Sequence, residues 1–316
     1  MKRLTLFVVG LFVLSLGVVP ATVQSQDLQK TYEGPEGLSN SVTFGGYFEH
    51  EFEDKENKQS EFDNHRTILF FGAQPHERLK FFNELEMEHG AEEIKLEQSW
   101  LEFALTPNHN FRGGVDLIPM GRRNVNHDGN LRDFVFRPYS SGTLIPTTWF
   151  ESGLSFNGDL PANLSYNIGV SNGMGPAAAA DTGTRGEFES MVGRDLAGGD
   201  NNNSKAVYGR LAWSPVLGTE IGLSGYNSNY SGDQSITYSV LDFNTIQGPL
   251  EFTGEYINID KDQQSSVGLK GASGGNIEAA YHFFPELLRD SFLARGFDNP
   301  TFTALARYEQ LNYDEP

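Results

Sequence analysis

Residues 41–52 read "SVTFGGYFEHEF". Val42, Phe44, Phe48 and Phe52 fall on one side of this stretch, and Ser41, Thr43, Tyr47, Glu49 and Glu51 fall on the other. A repeat of two is the period of a strand, whose successive side chains point to opposite faces. One face here is apolar and aromatic, and the other is polar and acidic. The stretch reads as a strand that separates two unlike environments.

The same alternation recurs along the chain. "RLKFFNELEMEH" sets Leu79, Phe81, Leu85 and Met87 against Lys80, Glu84, Glu86 and Glu88. "PLEFTGEYIN" sets Leu250, Phe252 and Tyr256 against Glu251, Thr253 and Glu255, and "TFTALARYEQ" repeats the pattern near the end. Thirteen such segments are expected, near 41–53, 62–73, 78–89, 94–105, 111–118, 147–157, 163–171, 205–214, 219–228, 235–243, 249–259, 275–284 and 301–313. At about ten residues, each has the length that crosses a bilayer as a tilted strand. Their connections alternate between short turns, such as "QPHE" and "TPNHN", and long polar loops, notably 119–146 and 172–204. The run at 285–300 is a long connection where a short one is due. Short turns at one rim and long loops at the other predict an all-β fold, a transmembrane antiparallel β-barrel. A soluble sandwich also alternates, but turns its apolar faces into a core. That alternative corresponds to a secreted binding or adhesion protein.

Composition narrows the function. Lys2 and Arg3 precede an apolar run from Leu4 to Val19, ended by Pro20 and followed by the small residues Ala21 and Ser25. This is the pattern of an export signal peptide over 1–25, leaving 26–40 as a short periplasmic segment before a barrel over 41–316. The chain has no Cys, which excludes disulfides and thiol chemistry. Its formal charge is −19; without Lys2 and Arg3, 21 basic residues face 42 acidic ones, giving −21. Such a chain repels nucleic acid, whose binding depends on Lys and Arg at phosphates.

Several of these stretches together resemble one family. "GGYFEHEF", "RTILFFGAQPHERLKFFNELEMEH", "LEQSWLEFALTPNHNFRGGVDLIPMGRRN", "GPLEFTGEYIN" and "IEAAYHFFP" are similar in succession to the phosphate-selective porin O/P-like family of outer-membrane porins. The resemblance covers most of the chain after residue 40. It implies a barrel of sixteen to eighteen strands, frequently a homotrimer, in the bacterial outer membrane among lipid and lipopolysaccharide. It also implies passive diffusion of small hydrophilic solutes past an inward-folded loop. Family members owe their phosphate preference to basic residues, chiefly lysines, in the pore. This chain departs from that pattern, having no Lys between Lys95 and Lys205. The expected barrel has about 16 strands when complete. An odd count of thirteen, with "YEQLNYDEP" in place of a terminal aromatic, leads to the expectation that the last strands are missing.

The segment "LIPMGRRNVNHDGNLRDFVFRP", 117–138, is the candidate constriction, with Arg122, Arg123, His127, Asp128, Arg132 and Arg137 as its residues. The lumen wall is assigned Lys80, Glu84, Glu86, Glu88, Glu97 and Glu255. Acidic walls opposite an arginine-bearing loop would set up a transverse field and tune ion preference toward anions such as phosphate. Against this stands a solvated loop whose arginines bind lipopolysaccharide or pair with Asp128 and Asp133. Asn124, Asn126, Asp128 and Gly129 match half of a calcium loop, but its twelfth position is Val135 rather than Glu, so no metal is assigned. "GVSNG" carries Gly169 where an outer-membrane phospholipase would need His. With no nucleophile and base placed together, neither enzymatic activity nor a cofactor is expected.

Overall fold

The computed structural model describes residues 4–8, 41–54, 59–146, 148–174, 203–231, 233–262 and 270–314. Thirteen strands occupy the alternating segments: β2 (Ser41–Glu53), β3 (Glu61–His76), β4 (Leu79–Glu88), β5 (Glu93–Thr106), β6 (His109–Leu117), β7 (Phe150–Leu160), β8 (Leu164–Asn172), β9 (Lys205–Trp213), β10 (Thr219–Ser231), β11 (Gln234–Gln247), β12 (Leu250–Lys261), β13 (Gly271–Phe283) and β14 (Phe302–Asp314). Each pairs antiparallel with its sequence neighbours, so the sheet is an up-and-down meander. A short strand, β1 (Leu4–Val8), pairs along β14, with Leu4 opposite Leu311 and Val8 opposite Arg307. The sheet is open between β1 and β2, its two edges. Of the expected signal peptide only residues 4–8 are described, and the expected segment 26–40 lies outside the described residues.

The sidedness of the wall decides the architecture. Phe44 and Phe48 on β2 are 63% and 70% exposed, whereas Glu84 and Glu86 on β4 are 3% and 2% exposed. Carboxylates face inward and aromatics face outward, the reverse of a sandwich or any water-soluble core. The outward apolar face runs from strand to strand, through pairs such as Leu154 opposite Val170, Leu241 opposite Tyr256 and Leu250 opposite Tyr281. It ends toward the long-loop rim, where the outward positions become Asn227, Ser239 and Asn258. An outward apolar belt around a polar interior is the signature of a transmembrane antiparallel β-barrel.

The turns follow from local chemistry. Pro107–Asn108 and Gly248–Pro249 close tight hairpins, and Gly248 takes φ 61°, the left-handed conformation that glycine adopts without strain. On the opposite rim the connection from β6 to β7 is long and folds into the lumen. It carries two short helices, α1 (Gly121–Val125) and α2 (Tyr139–Leu144). An internal apolar cluster anchors it. Ile118, Met120, Ile145 and Trp149 pack on Tyr226, Ile236, Tyr238 and Ile257, which are the inward residues of β10–β12 near the long-loop rim. The Trp149 ring lies 4.6 Å from Tyr226 and 5.2 Å from Tyr238, centre to centre.

Candidate functional site

The inward loop spans the lumen from wall to wall. Its two ends are clasped by Asn124. The Nδ2 of Asn124 donates to the carbonyls of Ile118 (2.7 Å) and Trp149 (2.9 Å), and its Oδ1 accepts from the Trp149 N–H (2.8 Å). All three bonds are buried, so they compete with no water. Helix α1 then lies on β10–β12. Gly121 N–H donates to Ser224 Oγ and Arg123 N–H to Glu255 Oε2. Gly121 sits at φ 74°, and a Cβ there would collide with the Glu255 carboxylate. Glycine is required on both counts.

Beyond α1 the loop reaches the opposite wall. Tyr47 on β2 donates to Asp128 (2.8 Å), His127 Nε2 lies 3.0 Å from Glu97 on β5, and Arg132 pairs with Glu49 on β2 (2.8 Å). The chain then returns. Arg307 on β14 stacks on Phe134 at 3.9 Å and donates to the Phe136 carbonyl. On α2, Ser140 N–H donates to Glu309, and Ser141 Oγ donates to Glu255 (2.8 Å). The loop therefore touches β2, β4 and β5 on one side and β10–β14 on the other.

The loop arginines are mostly paired with carboxylates of the wall. Arg122 lies 3.3 Å from Glu220, Arg123 2.5 Å from Glu278, and Arg132 pairs with Glu49. None of these partners is Asp128 or Asp133. Arg137 differs, donating to the His127 carbonyl and to Thr148 Oγ1, with no ion pair among the described residues. Burial, reinforced by Arg66 and Arg132, pushes its guanidinium down to about 10. Asp133 makes no hydrogen bond or ion pair among the described residues. Burial pushes its carboxyl up; Glu251 and Glu278 add to the shift and His282 opposes it.

The assigned wall residues lie on the inward face. Glu84, Glu86, Glu97 and Glu255 are buried beneath the loop, Glu88 pairs with Lys95, and Lys80 stands opposite Glu102 at the short-turn rim. Glu97 arrives by an irregularity that alternation does not encode. The register between β4 and β5 skips from Glu84 opposite Gln98 to Leu85 opposite Leu96, so Glu97 is an extra residue turned inward. The wall also carries residues outside the sequence assignment. Arg210 bonds Asp242, Arg112 joins Glu102 to Asp116, and Glu49, Glu220, Glu278 and Glu309 receive the loop. Period-two spacing placed several of these on the polar face, but nothing in the sequence marked them as partners of the loop.

Two spaces flank the loop. One, of about 820 Å³, opens toward the short-turn rim beside Arg122, Asp159, Ser165, Glu220 and Asn244. The other, of about 190 Å³, is lined by Arg123, Asp133, Glu251, Glu278 and His282. The second is mainly polar and charged, whereas the first adds an apolar lining from Leu160, Leu164, Val216 and Leu217.

No protein-family model matches the chain. An uncharacterized protein of Aquifex aeolicus (strain VF5) is 32% identical over 209 residues, 62% of this chain and 46% of that protein, so the chain spans about half the length of this relative. Two solved structures share the fold. An anion-selective porin from Comamonas acidovorans superposes with a TM-score of 0.53 at 12% identity, covering 77% of this chain and 74% of the other. Salmonella typhi OmpF, in complex with daunomycin, superposes with a TM-score of 0.51 at 10% identity, covering 87% and 98%.

Proposed function

We propose that the chain forms a passive, water-filled diffusion channel for small hydrophilic solutes in a bacterial outer membrane, with the 118–149 loop as its narrow zone. One observation carries this reading: an inward-facing acidic wall, apolar on its outside, encloses a loop that bridges opposite sides of the lumen. A channel needs a wet interior and a lipid-compatible exterior, and a loop in that position sets what passes.

The same proposal includes export by a leader over residues 1–25, contact with outer-membrane lipid and lipopolysaccharide, and assembly as a homotrimer. The proposed solutes are small anions, phosphate among them, drawn by Arg122, Arg123, Arg132 and Arg137 at a constriction that also carries His127 and Asp128. Because Arg122, Arg123 and Arg132 each face a carboxylate, the anion preference is expected to be modest. Removing an arginine should then do more than delete a cation, since it exposes the glutamate it neutralises.

Reversal potentials across a planar bilayer under a salt gradient test this. The protein should conduct, and Arg122→Ala or Arg123→Ala should move the potential toward cation preference. A conducting protein whose reversal potential is unchanged by both substitutions would remove these arginines from the narrow zone. Absence of conductance from folded protein would remove the channel reading.

A further inference from the structure

Where the inward loop meets β4 and β5, the donor atoms of Glu84, His127 and Asp128 lie within 4.8 Å of one another. His127 Nε2 is 3.7 Å from Asp128 Oδ1 and 3.9 Å from Glu84 Oε1, and Glu97 Oε2 stands beside the group, 3.0 Å from the same nitrogen. Donor atoms around a tetrahedral ion with bonds of about 2.0–2.1 Å stand roughly 3.4 Å apart. The three donors are slightly wider than that spacing, near enough for an ion to draw them in.

Charge points the same way. Glu84, Glu97 and His127 are each more than nine-tenths buried. The neighbouring cations are engaged elsewhere: Arg66 lies between Glu49 and Glu86, and Arg137 donates to a carbonyl and a hydroxyl. His127 faces Glu84 and Asp128 as well as Glu97, and Glu97 also lies in the field of Arg66. Buried carboxylates without counter-charge are strongly disfavoured. In addition, His127 Nδ1 is buried with no hydrogen-bond partner. With Nε2 on an ion, Nδ1 would carry the ring proton.

The surroundings orient these groups. Tyr47 OH donates to Asp128 Oδ1, and Gln98 Nε2 donates to Glu84 Oε2, leaving Glu84 Oε1 directed at His127. Such outer contacts commonly fix the ligands of a metal ion. We propose that this cluster binds one divalent cation of the zinc class, ligated by His127 Nε2 and the carboxylates of Glu84 and Asp128, and that the ion pins the loop to the wall. One imidazole with two carboxylates favours zinc, which accepts three protein ligands and an open position, over calcium or magnesium, which prefer more oxygen ligands.

Two other mixed clusters serve as internal controls. In Asp63, His65 and His89, Arg66 Nη2 stands 3.1 Å from His65 Nε2; by donating there it places the ring proton on Nδ1, the nitrogen facing the acids. Asp133, Glu251 and His282 offer three donors, open to the 190 Å³ space.

The test uses the full chain folded in detergent, stripped with EDTA, loaded with Zn²⁺ and washed. Metal content is expected at one Zn²⁺ per chain, unchanged in His65→Asn and His282→Asn, and at least tenfold lower in Glu84→Gln and His127→Gln. Loading the parent and the His65→Asn/His282→Asn chain with Co²⁺ gives a second reading that does not depend on the site variants folding. Intense visible bands of tetrahedral cobalt are expected in both. No retained Zn²⁺, retention by Glu84→Gln and His127→Gln, or a weak octahedral cobalt spectrum would each overturn the site. Metal content is read without conductance, so this result stands apart from that of the channel experiment.

Discussion

Asn124 shows how one side chain fixes the position of the whole loop. It supplies both donors to carbonyls at the two ends of the loop, Ile118 and Trp149, and accepts the Trp149 N–H with its remaining oxygen. Every group in this exchange is buried, so truncation strands the Trp149 N–H, while the two carbonyls keep the N–H groups of Ile118 and Met120 as donors. Buried orphans of this kind cost about 1–3 kcal/mol each when nothing relaxes to meet them. Asn124→Ala should therefore destabilise loop docking by about 1–3 kcal/mol. Asn124→Asp should be worse, because it sets a carboxylate oxygen against two carbonyl oxygens. Urea unfolding in detergent, with limited proteolysis of the loop as a local readout, measures both. Equal stability of the Ala and Asp variants would show that the donors do not matter.

At the scale of elements, strands and loop were unequally legible in the sequence. Strands announce themselves through a period of two, and all thirteen expected segments are strands, with ends displaced by a few residues. The long connection 285–300 is likewise present, between β13 and β14. The partners of the loop could not be read this way. Arg132 meets Glu49 across 83 residues of chain, and Arg307 meets Phe136 across 171, so only the curving of the sheet around the inward loop brings them together. Glu97 is a related case: strict alternation would turn it outward with Leu101 and Phe103, and only the skipped register turns it in. Asp133 tests the docking of this element. Its carboxyl is raised in the docked loop, so docking favours the protonated form. That contribution is complete below the ordinary aspartate value and is lost as pH rises through the raised one. Asp133→Asn imitates the protonated form. The variant should be more stable than the parent at pH 7, and the difference should shrink toward zero as pH falls to about 4. Thermal unfolding across that range checks it, and parallel profiles would show that Asp133 is not shifted.

For the molecule as a whole, the distinction between lipid and water is drawn through the thickness of a single sheet. Leu241 and Asp242 are adjacent on β11, yet Leu241 is 53% exposed on the outer face while Asp242 is 1% exposed inside, bonded to Arg210. In a soluble protein an exposed leucine is a tolerant site, because the solvent beyond it accepts any polar replacement. In a barrel wall the same position faces hydrocarbon, and a cation there costs roughly 2–4 kcal/mol near the midplane, falling toward zero at the interfaces. Leu241→Arg and Asn227→Arg make this a direct comparison, since both positions face outward but only Leu241 belongs to the apolar belt. Leu241→Arg should lower folding stability in lipid vesicles by an amount in that range, and Asn227→Arg by much less. In detergent, where the side chain reaches water more easily, the penalty at Leu241 should narrow. Folded and unfolded forms can be separated by their gel migration without boiling, which yields the folded fraction over a urea series in vesicles. Equal tolerance of arginine at both positions would place water, not lipid, outside the wall, and the inverted sidedness of the sheet would then need a protein partner to cover it.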